Sequence, residues 1–212
     1  MTGWLTPQRM LAAYSRGIFP MAEGAADRQL YWFDPDERGT LPVGGVHLSR
    51  SMRRFLRLCG WHATVDHCFD RVVLACADRE ETWINAELRD LYRALHQQGH
   101  AHSLEVWQGD ELVGGVFGLS LGGGFFAESM FSRRPNGSKA ALIWLSDHLR
   151  RSGFTLWDTQ YPNPHLASMG GLTIDRQDYL ARLDHALGVK ARFLSGPLPT
   201  AQALLQLTTH TS

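Results

Sequence analysis

The run from His102 to Gln160 constrains the fold more than any other part of the chain. It begins His102-Ser-Leu-Glu-Val-Trp107, continues through Leu112-Val-Gly-Gly-Val-Phe117 and Gly124-Phe-Phe-Ala-Glu-Ser-Met-Phe131, and joins these apolar runs with short Gly/Asp turns. Runs of this length, rich in β-branched and aromatic residues and bounded by turn formers, are strands. A helical run, Ser138-Lys-Ala-Ala-Leu-Ile-Trp-Leu145, and one more strand, Leu156-Trp-Asp-Thr-Gln160, follow. The pattern predicts a meander closed by a helical crossover, hence an α+β domain with a mixed, mostly antiparallel sheet flanked by helices.

Upstream punctuation predicts the flanking helices. Thr6 and Pro7 open one that carries Met10, Leu11 and Tyr14 inward and stops at Gly17. Tyr31-Trp-Phe33 reads as a short strand, Asp34-Pro-Asp-Glu-Arg-Gly39 as a loop, and Gly44-Gly45 as a boundary. A small N-terminal α/β domain is therefore expected over 1–43, the main domain over 44–195 and a weakly anchored tail over 196–212. Within the main domain, Asp66 is expected to cap a helix burying Phe69, Val72, Val73 and Cys76. Asn85 caps another with Leu88, Leu91, Tyr92 and Leu95 inward, and a last helix runs from about Asp175 to Leu187. The helices after Asp66 and Asn85 should share one face of the meander.

With 44% hydrophobic residues in 212, the chain can bury a proper core. No run approaches the roughly 20 apolar residues that cross a bilayer, and the first residues show no export pattern, so a cytoplasmic place without a membrane partner is expected. Cys59, Cys68 and Cys76 include no Cys-x-x-Cys pair and read as reduced thiols. His100 and His102 have no third ligand at metal spacing and read as structural, so no metal is expected. With no exposed apolar stripe left unassigned, a monomer is the expectation.

Twenty-one basic and 21 acidic residues cancel globally, but the charge is uneven. Arg50, Arg53, Arg54 and Arg57 fall at i, i+3, i+4 and i+7, opposite Met52, Phe55, Leu56 and Cys59. A solvated helix face usually interleaves acids with bases, and this one has none. Repulsion of that kind is relieved by a phosphate backbone, so the face is a candidate nucleic-acid contact.

No P-loop, Gly-x-Ser-x-Gly elbow or His-Glu-x-x-His motif is present, which removes nucleotide hydrolysis, esterase chemistry and zinc proteolysis. The meander and crossover follow the plan of an N-acyltransferase core, with chemistry by direct transfer from an activated acyl donor. One reading is a coenzyme A-dependent N-acetyltransferase, but its pyrophosphate loop should end in a small residue, and Arg134-Pro-Asn-Gly-Ser-Lys139 ends in lysine. Another is a non-catalytic module that binds tRNA or protein N-termini.

An ordered series of short motifs resembles that of leucyl/phenylalanyl-tRNA-protein transferases. It includes Gly17-Ile-Phe-Pro20, Ser49-Arg-Ser-Met52, Thr82-Trp-Ile84, Gly99-His-Ala-His-Ser103, Glu105-Val-Trp107, Leu112-Val-Gly-Gly115, Glu128-Ser-Met-Phe-Ser132, Ser138-Lys139, Asp158-Thr-Gln160 and His165-Leu166. The resemblance implies an acetyltransferase-like (GNAT-like) core. It also implies transfer of Leu or Phe, less readily Met, from aminoacyl-tRNA to the N-terminal Arg or Lys of an acceptor protein. The product is a degradation signal, and no cofactor is required because the ester already carries the activation.

Residue by residue, the resemblance assigns Asp158 and Gln160 as the catalytic pair, with Asp158 accepting or orienting the amine proton. It assigns Glu128 to the basic acceptor end. Phe117, Met130, Leu142, Leu145, Leu149 and Trp157 match the acyl pocket, although each would serve equally as plain core. Trp83 is assigned to stacking on the terminal adenine, and Arg50, Arg53, Arg54, Arg57 and Lys139 to tRNA phosphates. Met21 stands where many members of the family carry a tryptophan.

Overall fold

A computed structural model describes residues 5–27, 29–194 and 196–207. The N-terminal part contains α1 (Pro7–Tyr14), β1 (Phe19–Met21), β2 (Tyr31–Phe33) and β3 (Glu37–Thr40). Thr6 caps α1 by accepting from Arg9 N, and β1 pairs antiparallel with β2. Then come α2 (Arg50–Leu58), β4 (His62–Val65), α3 (Phe69–Ala77) and α4 (Ala86–Gln97), the last capped by Asn85 as its sequence requires. The meander is β5 (Ala101–Gln108), β6 (Glu111–Leu121) and β7 (Gly124–Ser132); α5 (Gly137–Arg151) crosses over to β8 (Leu156–Gln160). The chain ends in α6 (Pro164–Ala167), β9 (Leu172–Asp175), α7 (Arg176–Leu187) and α8 (Ala201–Leu207).

Seven strands form one sheet in the order β4-β5-β6-β7-β8-β3-β9. Every neighbouring pair is antiparallel except β7 with β8, which the crossover makes parallel. The sheet is thus mixed and mostly antiparallel, with helices on both faces. On one face α5, α2 and α8 bury Trp144, Leu145, Leu149, Leu56 and Leu204 against Val113, Val116 and Phe125. On the other, α1, α3, α4 and α7 bury Met10, Val72, Leu88, Leu95 and Leu183 against Leu112, Phe117 and Phe126. Alternation along each strand feeds both cores at once.

Three expectations are corrected. Residues 37–39 are strand and not loop: β3 enters the main sheet between β8 and β9, with Arg38 fully buried. Its charged sequence hid it, because the polar side chain that faces inward has a buried partner. Asp66 does not cap α3, which starts behind Cys68 without a side-chain cap. Held at φ 55°, Asp66 instead binds the Ser103 N–H and His102 Nδ1, each at 2.8 Å. The segment beyond Pro197 is anchored: Trp144 Nε1 donates to Pro199 O at 2.8 Å, and Ala201, Leu204 and Leu205 join the core. Residues 208–212 of the expected tail lie outside the described residues.

Candidate active site

Strands β7 and β8 pair only over Gly124–Phe126 and Leu156–Asp158. Beyond that, β7 runs on against β6 alone, with an irregular register where Glu128 sits between Ala127 and Ser129. A bulge re-aims a side chain and bends its strand. The gap so opened is a cleft of about 230 Å³ whose lining includes Arg79, Trp83, Glu128, Met130, Leu142 and Thr159. A pocket where a parallel pair splays apart has backbone and side chains converging from both strands.

Glu128 is the buried acid of the cleft. Tyr14 Oη donates to Glu128 Oε1 at 2.6 Å and Tyr92 Oη to Oε2 at 2.8 Å. Burial pushes its pKa up to about 7, with nearby Asp158 adding to the rise, while the two tyrosine hydroxyls and Gln160 pull it back. The balance leaves a carboxylate able to take or give a proton near neutrality.

Asp158 is 0% exposed and lies behind the cleft wall. Arg38 grips it bidentately, with Nη2 at 2.7 Å and Nε at 3.0 Å. Tyr179 Oη donates at 2.7 Å and the Gln160 N–H at 2.7 Å. The Arg38 guanidinium is itself sandwiched between the Phe19 and Tyr179 rings, at 4.6 and 4.4 Å, and donates to Gly17 O at 2.9 Å. Charge, fork geometry and ring faces all meet there, so this carboxylate is fixed in place. By closing on the Gln160 N–H it holds Gln160 at φ 62°, a conformation a non-glycine residue keeps only when its surroundings impose it. Gln160 lies near enough to Glu128 to act on its pKa, yet its buried Nε2 has no partner in hydrogen-bond geometry among the described residues. An unpaired buried donor beside a titratable acid is a ready group for a substrate oxygen.

Arg38, Tyr14, Tyr92 and Tyr179 were missed as site residues by the sequence reading. Three of the five tyrosines occupy inward helix positions where leucine would be ordinary. A buried tyrosine needs a partner for its hydroxyl, and that need was the available signal. Arg38 offered none, because its partner lies 120 residues away.

A leucyl/phenylalanyl-tRNA protein transferase model matches residues 40–184, and the N-terminal domain model of the same family matches residues 3–36. The chain belongs to this family. It is an enzyme of the aminoacyltransferase class. It is 66% identical over 212 residues to the leucyl/phenylalanyl-tRNA–protein transferase of Paracoccus denitrificans, covering 100% of both chains. The relative of the same name from Dinoroseobacter shibae is 52% identical, over 95% of this chain and 91% of its own. That from Cereibacter sphaeroides is 52% identical over 98% of each. Among solved structures, L-PGS from Bacillus licheniformis overlaps at a TM-score of 0.43 and 14% identity, covering 76% of this chain and 54% of that one.

Of the acyl-pocket residues expected in this family, Met130 and Leu142 line the cleft. Leu145, Leu149 and Trp157 are buried in the core on the α5 face, and Phe117 lies in the opposite core against the Phe69 and Tyr92 rings. Trp83 reaches the cleft. Ser49 caps α2 through Met52 N, and Arg50, Arg54 and Arg57 are exposed while Arg53 is half-buried. None of the four has a carboxylate partner among the described residues. Lys139, in the first turn of α5, lies close enough to His165 to depress its pKa, second to burial. Among the described residues no helix is long and apolar enough to cross a membrane.

Proposed function

We propose that the chain moves leucine or phenylalanine, less readily methionine, from aminoacyl-tRNA to the N-terminal Arg or Lys of an acceptor protein, forming a peptide bond. The product marks the acceptor for degradation, and the reaction is cytoplasmic because that is where the donor is. Family membership supports the donor and acceptor classes. The observation that carries the mechanism is Glu128, a cleft carboxylate with a pKa near 7 beside an unpartnered amide.

The donor is a ribose ester, and an N-terminal amine has an ordinary pKa of about 7.7–8, so alignment and one proton transfer suffice. The neutral amine attacks the ester carbonyl; a C–N bond forms and the C–O bond to ribose breaks. Glu128 takes the proton from the attacking nitrogen and returns it to the departing ribose oxygen, leaving the acid as it began. Gln160 Nε2 donates to the carbonyl oxygen as charge develops there. Asp158, already gripped by Arg38, Tyr179 and the Gln160 N–H, serves as a positioning residue. Proton acceptance, which the sequence reading gave to Asp158, passes to Glu128 in this scheme.

Met130 and Leu142 supply the apolar wall for the donor side chain, and Trp83 a face for the terminal base. Met130 suits a pocket that takes both a branched and an aromatic side chain. The arginines of α2 hold acceptor-stem phosphates. A GNAT-like ancestry of the core is part of the same proposal, supported by the meander, the helical crossover and the splayed parallel pair.

The test offers purified protein leucyl-tRNA or acetyl-coenzyme A with a peptide beginning in arginine, and weighs the peptide. Addition of leucine from tRNA alone is expected, with loss in Glu128→Gln. Acetylation, or no addition from either donor, would overturn the reading.

A further inference from the structure

We propose that Arg79 forms an anion site on the cleft wall for the phosphate on the 5′ side of the donor's terminal nucleotide, an assignment that rests on the transferase reading above. Arg79 lies just past the end of α3 and turns back: Nε donates to Cys76 O at 2.8 Å, and Nη2 donates to Ser129 Oγ at 2.7 Å and Met130 O at 3.2 Å. These three bonds fix the plane of the guanidinium. Nη1 has no partner.

All three acceptors are neutral. Arg38, Arg93, Arg134, Arg150, Arg151 and Arg176, by contrast, each donate to a carboxylate. Glu80 and Glu81 follow Arg79 directly and are exposed, but neither is bonded to it. The cleft therefore carries a cation held in one orientation, bonded to no carboxylate and with its Nη1 N–H bonds free. A preorganised guanidinium loses little side-chain entropy when it binds a phosphate.

The donor brings such a phosphate and the acceptor does not. An acceptor presents an amine and a basic first side chain. In the donor, the ester sits on the terminal ribose and the phosphate is attached to the other end of that sugar. With the ester at Glu128 and the base on Trp83, the phosphate falls to the cation among the described lining residues, Arg79, which is exposed there.

The experiment measures binding of two stable amide analogues of the donor end, 3′-phenylalanylamido-3′-deoxyadenosine and its 5′-monophosphate, to the full chain by calorimetry. The wild type is expected to bind the phosphorylated analogue about tenfold more tightly. That ratio should fall to about one in Arg79→Gln and keep an intermediate value in Arg79→Lys, which retains the charge but not the planar group that Cys76, Ser129 and Met130 hold in place. A mere strap between α3 and β7 would weaken both analogues alike and leave the ratio unchanged. An unchanged ratio, a wild-type ratio of one, or no binding of either analogue overturns the assignment. Should Arg79→Gln not fold, the ratio in Arg79→Lys decides, with no reduction counting against the site. Leucine transfer from intact tRNA, assayed on the same wild-type preparation, separates failure of this site from failure of the transferase reading.

Discussion

Two buried glutamates on neighbouring regions of the same sheet have opposite surroundings. Glu105, on β5, accepts from Ser103 Oγ and Thr64 Oγ1, both at 2.5 Å, and from Cys68 N and His67 N at 3.4 and 3.5 Å. It ties β4, β5 and the entry to α3 together in place of a side-chain cap. Glu128, on β7, accepts from two tyrosine hydroxyls, has Gln160 beside it and otherwise faces the cleft. Burial raises the pKa of both, yet in Glu105 four donors work against it, whereas Glu128 is pushed up to about 7. A carboxylate surrounded by donors on every side is held as structure; one supported from behind and left open in front is the one the proposed reaction uses.

The largest effect that would break this contrast is expected from Glu128→Gln. Removing a proton acceptor costs about 10²–10⁴-fold in kcat. In the wild type, transfer should rise with pH through about 7, because the ionised form is the active one, and the variant should lose that limb. Stability should move the other way. The folded state holds the Glu128 proton more tightly than the unfolded state, so wild-type stability falls as pH rises from about 4.5 to about 7. Thermal melts at pH 8 should then show Glu128→Gln at least as stable as the wild type; a large loss there would make Glu128 a structural acid like Glu105.

Next in size is Arg38→Met. Breaking a buried pair by deleting one partner costs about 3–5 kcal/mol, read by urea unfolding, and the surviving protein should lose kcat more than KM because Gln160 is no longer held. Wild-type stability in that variant would show that Asp158 does not depend on its partner. Glu105→Gln comes third: an NH2 group replaces an oxygen that accepts one hydroxyl and one backbone N–H, for about 1–3 kcal/mol, with kcat unchanged. A loss of turnover without unfolding would erase the distinction between the two glutamates. Smallest is Arg54→Ala, which should leave melting unaltered and reduce the salt dependence of tRNA binding by roughly one unit of log–log slope. An identical slope would remove α2 from the tRNA surface.

What the sequence made legible was whatever repeats at short range. The β5–β7 meander, the α5 crossover and β8 are visible because apolar runs alternate with glycine turns, and α1, α4 and α7 because their caps and inward stripes agree. β3 was invisible because Glu-Arg-Gly-Thr has no apolar face, and its burial depends on Asp158, 120 residues from Arg38. The same holds within the site. Glu128, Gln160, Met130, Leu142 and Trp83 carry motif signals and lie at or beside the cleft, whereas Phe117, Leu145, Leu149 and Trp157 are indistinguishable in sequence from pocket walls and are packed core. Whether an apolar side chain faces a void or a neighbour is set by where two strands part, which no local pattern records.

The distances spanned by these contacts also set an order of assembly during synthesis. Glu128 takes one hydroxyl from a helix 114 residues upstream, and Asp158 is clasped from residue 38 behind it and residue 179 ahead of it. Closing such long loops is slow and comes after local elements have formed. A nascent chain halted after β8 has the cleft strands but not Tyr179, so its Gln160 is not yet locked. Locking of Gln160 therefore waits for α7, which brings Tyr179 to Asp158 only after both cleft strands have been made.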